Sequence, residues 1–149
     1  MLMYKTLPEA LANARFISDE QSYRFVKLPA AAITLAAGVI AEIGEPYCSM
    51  IVDPHEVTLM IPQTATEDFA RRLRDAEIAD TVYRVIFIDA ALDSSLVGFM
   101  AVISGALAEA DISIMPYAGY THDMLFVRAE DHERAMTTLK QLQSAYSSS

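Results

Sequence analysis

The chain has 149 residues, 53% of them hydrophobic, with 11 basic and 20 acidic side chains and a formal net charge of −9. A domain of this length removes about 68–70% of its unfolded surface from water, so it can build a core without metals or staples, and the composition excludes disorder. The acidic balance repels phosphate backbones and anionic lipid, which argues against nucleic acid or a membrane as partner. Cys48 is the only cysteine, so no intramolecular disulfide framework or thiolate metal cluster is expected, and a cytoplasmic, reducing setting fits best.

Lys5, Pro8, Glu9 and Arg15 interrupt the first residues and leave no apolar run of the kind a signal peptide carries, so export is not expected. A surface helix is predicted over Leu7 to Arg15, followed by a connector through Ser18-Asp19-Glu20-Gln21. Tyr23 to Leu28 reads as a strand stopped by Pro29, and Ala31 to Glu42 as a helix. Tyr47 to Val52 and Glu56 to Ile61 flank the turn-forming Asp53-Pro54-His55 and read as a hairpin. Thr66 is expected to N-cap a helix through Arg74, with Glu67 and Asp68 at its positive end and Arg71, Arg72 and Arg74 near its negative end.

The pattern then restarts: Tyr83-Arg84-Val85 echoes Tyr23-Arg24-Phe25 at a 60-residue offset, which marks an internal repeat. A strand is predicted over Tyr83 to Asp89, then a helix from Leu96 to Ala110 with Leu96, Met100, Ile103 and Leu107 on one face. Ile112 to Ala118 and Asp123 to Val127 read as strands around a turn at Gly119-Tyr120-Thr121-His122. A closing helix from Glu130 buries Ala135, Met136, Leu139 and Leu142, and Ser147-Ser148-Ser149 is expected to fray. The uncharged stretches 28–41 and 94–108 are shorter than the roughly 20 residues that cross a bilayer, and both are expected to be core helices.

Each copy runs strand, helix, strand, strand, helix, with the start of copy two able to supply the fourth strand of copy one. The expected class is α+β: two ferredoxin-like βαββαβ-type repeats, antiparallel sheets with helices on one face. The expected organisation is an N-terminal helix and connector over 1–21, repeat 1 over 22–80 and repeat 2 over 81–146. Val85 to Ile88 and Met124 to Val127 are apolar without alternation, so the second sheet face should also be covered, by the other repeat, the N-terminal helix or a second chain.

These residues carry a family resemblance. Tyr23 to Val26, the Asp53–Ile61 hairpin, Asp93-Ser94-Ser95-Leu96-Val97-Gly98, Ala108 to Ser113, and Gly119 to Asp123 with Phe126-Val127 resemble a tandem pair of ACT domains, small ligand-binding regulatory modules of amino-acid metabolism. More specifically, they resemble bacterial two-ACT proteins related to the cellular arginine sensors. The sequence departs from that pattern at Asp111, where the family usually has Gly, and at Pro29-Ala30-Ala31-Ala32, where copy one lacks the polar loop. The resemblance implies a non-catalytic module, with an amino acid bound at the strand-to-helix turn of repeat 2.

The residues themselves leave two readings of that turn open. Asp93, Ser94, Ser95, Leu96, Val97 and Gly98 could hold a zwitterion, with backbone N–H groups at the helix start meeting its carboxylate and Asp93 its ammonium; or Asp93 or Ser94 is a plain helix cap and Gly98 a packing residue. Tyr120, Thr121 and Asp123 offer a ring, a hydroxyl and a carboxylate to a polar ligand, but a hairpin also selects such residues. His122 beside Asp123 suggests a catalytic pair, yet no nucleophile elbow accompanies it, so no catalytic residue is expected. His55, His122 and His132 lack the spacing of a zinc site, and no phosphate-binding or dinucleotide glycine motif occurs, so neither metal nor cofactor is expected. A homodimer and a regulated protein partner are expected. The alternative is a homo-oligomeric interaction module with a vestigial pocket.

Overall fold

A computed structural model describes residues 1–147. The chain divides into two compact units, a central one over Glu20–Tyr83 and a terminal one that joins Met1–Asp19 to the chain from Arg84 onward.

The central unit contains β2 (Tyr23–Pro29), α2 (Ile33–Ile43), β3 (Ser49–Val52), β4 (Glu56–Pro62), α3 (Gln63–Asp68) and β5 (Glu77–Ile78). β4 pairs antiparallel with both β2 and β3, and β5 pairs antiparallel with β2 on its other side. The order β5-β2-β4-β3 is that of a ferredoxin-like sheet. Val26, Leu28, Val57, Leu59 and Ile61 bury against Ala36 and Val39 of α2, with partly buried Cys48 packed at the edge. The hairpin turns because the Asp53 carboxylate accepts the N–H groups of His55 and Glu56 at 2.7 and 2.9 Å, an Asx turn.

Two expectations for this unit are corrected. The fourth position beside β2 is taken mainly by Glu77–Ile78, and of the strand that opens copy two only Tyr83 pairs there, opposite Tyr23. The helix expected from Thr66 starts instead at Gln63, directly after Pro62, and ends at Asp68, giving way to turns through Asp75. Thr66 is buried and its hydroxyl donates to the Gln63 carbonyl at 2.6 Å, so it satisfies a helix carbonyl and caps nothing.

The terminal unit contains α1 (Leu7–Asn13), β1 (Arg15–Ile17), β6 (Tyr83–Asp89), α4 (Phe99–Glu109), β7 (Ile114–Ala118), β8 (Asp123–Arg128) and α5 (His132–Ser147), the last preceded by a short 3-10 turn over Ala129–Asp131. Its strands lie in the order β1-β6-β8-β7. This is again a ferredoxin-like order, but its fourth strand comes from the beginning of the chain. The surface helix expected there is corrected accordingly, while the connector at residues 18–21 stays free of helix and strand: Ala10 and Leu11 of α1 are fully buried among Ile103, Leu107, Leu125 and Leu139. Burying one leucine contributes about 1.5–3 kcal/mol, so α1 is part of the core. The Gln143 side-chain amide on α5 donates to the Leu11 carbonyl at 3.0 Å and also to that of Ala14, and Arg15 pairs across the sheet with Asp89.

The helix expected over Leu96 to Ala110 is shorter at its start, because Gly98 sits in a left-handed conformation at φ 90° and interrupts the backbone. Ile103 and Leu107 are buried as expected, while Leu96 belongs to the preceding loop. α4 ends in a left-handed residue, Asp111 at φ 58°, with the Ile112 N–H on the Leu107 carbonyl and the Asp111 N–H on the Ala108 carbonyl. That is a Schellman ending, which favours glycine at this position. Of the expected fraying Ser147-Ser148-Ser149, Ser147 is the last residue of α5 and the other two lie outside the described residues. Among the described residues no helix is long and apolar enough to cross a membrane.

Candidate functional site

The loop between β6 and α4, residues 90–98, is held from both sides. On one side the Tyr4 N–H donates to the Ala91 carbonyl at 2.8 Å and the Asp93 N–H to the Tyr4 carbonyl at 3.0 Å; on the other the Leu92 N–H donates to the Thr121 carbonyl at 2.7 Å. The turn between β7 and β8 is closed by the Gly119 N–H on the His122 carbonyl. These bonds fix two loops about a cavity of about 330 Å³ at the start of α4. A volume of this size lies at the lower end for small-molecule pockets.

Of the residues singled out from sequence, Asp93, Ser94, Leu96, Gly98, Tyr120, Thr121 and Asp123 line the cavity, and Ser95 and Val97 do not. Leu92, Phe99, Met100, Ala101 and Gly119 also line it. Gly119 opens the turn already singled out by the resemblance, and sequence reasoning missed the other four; Met100 was visible on the apolar helix stripe, but nothing in its type marks it as pocket rather than core. Val97 is 87% exposed and Tyr120 97% exposed, leaving two apolar side chains in solvent beside the opening.

The two acidic residues of the lining differ. One Asp93 carboxylate oxygen accepts the Ser95 N–H at 2.9 Å and the Ser95 hydroxyl at 2.6 Å. These bonds, the hydroxyl first, hold its carboxyl below the usual aspartate range, with a smaller contribution from Lys5. Asp93 therefore caps the turn inside the loop and not α4 itself, whose first-turn N–H groups follow Gly98 with no side-chain cap. Asp123 is partly buried, and burial pushes its carboxyl above the usual range, opposed in part by His122.

Thr121 and His122 share a hydrogen bond at 2.7 Å between hydroxyl and Nδ1, and the imidazole stacks on Phe87. Its Nε2 stands 3.7 Å from Asp89, beyond hydrogen-bond reach, and Asp89 is already bonded by Arg15. The hydroxyl, imidazole and carboxylate thus come into one neighbourhood, which sequence reasoning missed because it weighed only adjacent Asp123. The third group does not orient the ring as a catalytic triad requires. His132 is elsewhere, with Nε2 2.8 Å from the Ser18 hydroxyl; burial, then Arg84, lowers its pKa. Among the described residues, no three His, Cys, Asp or Glu side chains are grouped to hold a metal ion.

Residues 78–141 match the family model of the ACT domain. The matched segment is similar to an ACT domain. It runs from the end of β5 into α5 and so includes the whole cavity. No curated protein matches the chain. Among solved structures, it is similar to a Vibrio cholerae protein of unknown function suggested to act in transport, at 21% identity over 92% of this chain and 95% of that one, with a TM-score of 0.72. It is also similar to the ligand-free regulatory subunit of aspartate kinase from Thermus thermophilus, at 16% identity over 85% of this chain and 95% of that one, TM-score 0.61. A proposed C-terminal regulatory domain of aspartate kinase from Porphyromonas gingivalis matches at 20% identity over 89% and 98%, TM-score 0.63. At these identities the likeness establishes the fold, two ferredoxin-like repeats.

Proposed function

We propose that this chain is a non-catalytic regulatory module that binds an amino acid at the start of α4. The observation that carries the reading is the cavity inside the segment that matches the ACT model, bounded by the 90–98 loop and the 119–122 turn. An uncapped helix start favours the carboxylate of a zwitterion through free N–H groups and the helix dipole, and acidic side chains on the same wall favour its ammonium. The structural relatives from aspartate kinase are regulatory parts by description, which supports control over chemistry. We further propose a homodimer that covers exposed Val97 and Tyr120, a regulated protein partner that reads out binding, and a cytoplasmic setting consistent with the single free Cys48.

A thermal-shift screen of the twenty amino acids tests the reading. A bound amino acid at 100 times its dissociation constant stabilises by about 2.7 kcal/mol, so at least one is expected to raise the melting temperature clearly. A flat response across the panel would favour the interaction module with a vestigial pocket.

A further inference from the structure

We infer that Asp123, and not Asp93, receives the ammonium group of the amino acid, an assignment that rests on the proposed function and names the residue that separates amino acids from other small carboxylates. Asp93 is the obvious candidate from sequence because it stands in the loop before the helix. In the structure its Oδ1 is occupied by both donors of Ser95, and Lys5 contributes positive potential there. A ligand ammonium at Asp93 has to compete with bonds that shape the loop.

Asp123 is in the opposite condition. It is the first residue of β8 and paired with Ala118 at the mouth of the hairpin, so its backbone is fixed by the ladder. Asp123 lines the cavity and is partly buried, and among the described residues it makes no hydrogen bond or ion pair with another side chain, although the neighbouring His122 acts on its charge. The lining contains no Lys, Arg or His among those residues. A partly desolvated carboxylate without a hydrogen-bonded partner is costly, and a cation placed in the cavity supplies what it lacks. Thr121, two residues earlier, lines the same wall with its hydroxyl bonded to His122. The cavity therefore has an ammonium end at Asp123 and a carboxylate end at the uncapped start of α4, with apolar Leu92, Leu96, Phe99 and Met100 for a side chain.

The test is calorimetric titration of the full chain and of its Asp123→Asn and Asp93→Asn variants with the one of the twenty amino acids that shifts the unaltered protein's melt most, and with the 2-hydroxy acid of the same side chain. A charge-assisted hydrogen bond contributes enough for a change of about 10- to 100-fold. The unaltered protein and Asp93→Asn are expected to prefer the amino acid over the hydroxy acid by that factor, and Asp123→Asn to lose the preference. A merely structural role for Asp123 would weaken both ligands alike and leave the preference in place, which overturns the assignment. So would loss of the preference in Asp93→Asn alone or in both variants. If the unaltered protein binds none of the twenty, the proposed function itself fails and this assignment falls with it.

Discussion

The two strand-to-helix turns of this chain serve one fold in different ways. In the central unit β2 reaches α2 through residues 30–32, with the Ala32 N–H on the Pro29 carbonyl at 2.9 Å; three small residues bring the helix straight back onto the sheet. In the terminal unit residues 90–98 separate β6 from α4, tied down by Tyr4 and Thr121 and ended by left-handed Gly98. The helices are of equal length, 11 residues each, so the difference lies in the turn. A ferredoxin-like repeat thus folds with or without room at its helix start, and the added loop is what opens a cavity.

That contrast can be broken most severely by removing the loop. Replacing residues 90–98 with Ala-Ala-Ala, after the central unit's turn, is expected to abolish amino-acid binding, as read by titration calorimetry, while far-ultraviolet circular dichroism checks that the helices and strands remain. Binding that persists in a folded variant would place the ligand elsewhere.

A smaller effect comes from Gly98. Its position within a first helical turn, expected from sequence, would make Gly98→Ala neutral or helpful; at φ 90° with no atom within 4 Å of an added Cβ, the substitution is strained by backbone conformation alone. The expected loss is about 1–2 kcal/mol in urea denaturation. A variant as stable as the parent would contradict the left-handed helix start.

The helix ends sharpen the comparison by less. α2 is closed by left-handed Gly44 and α4 by left-handed Asp111. Asp111→Gly is expected to raise stability by under about 1 kcal/mol and Gly44→Asp to lower it by a similar amount, both measurable by chemical denaturation. Opposite signs in the two repeats are the point of the pair.

The pH dependence of Asp123→Asn is the finest test. Because the Asp123 carboxyl is raised in the folded state, its ionised form costs stability, fully above the folded pKa and not at all below the unfolded one. Asp123→Asn should therefore melt higher than the parent at neutral pH, and the gain should vanish as pH falls through and below the ordinary aspartate range. A gain that is constant with pH would assign it to something other than charge.

Regular elements with a clear apolar rhythm were legible in the sequence: Tyr83–Asp89 has the boundaries expected, and the hairpin turns at Asp53. The three residues of β1 and two of β5 are too short to show alternation, so their places in the sheets come only from pairing. α1 was misjudged although Leu7, Ala10, Leu11 and Ala14 stand at i, i+3, i+4 and i+7; two of the four are alanines, which bury little apolar area and make a weak signal. At the site, residues with polar groups could be found by type, whereas Phe99, Met100 and Ala101 enter the lining only because Gly98 delays the helix. Asp93 and Asp123 look alike in sequence, and it takes Ser95 and the cavity wall to distinguish an occupied carboxylate from an open one.

The most direct measurement is the binding stoichiometry of the full chain, by calorimetric titration with the amino acid that gives the largest thermal shift. One molecule per chain is predicted, because the terminal unit has the loop and cavity and the central unit has the short turn. Two molecules per chain, or no heat from any of the twenty, would contradict the account.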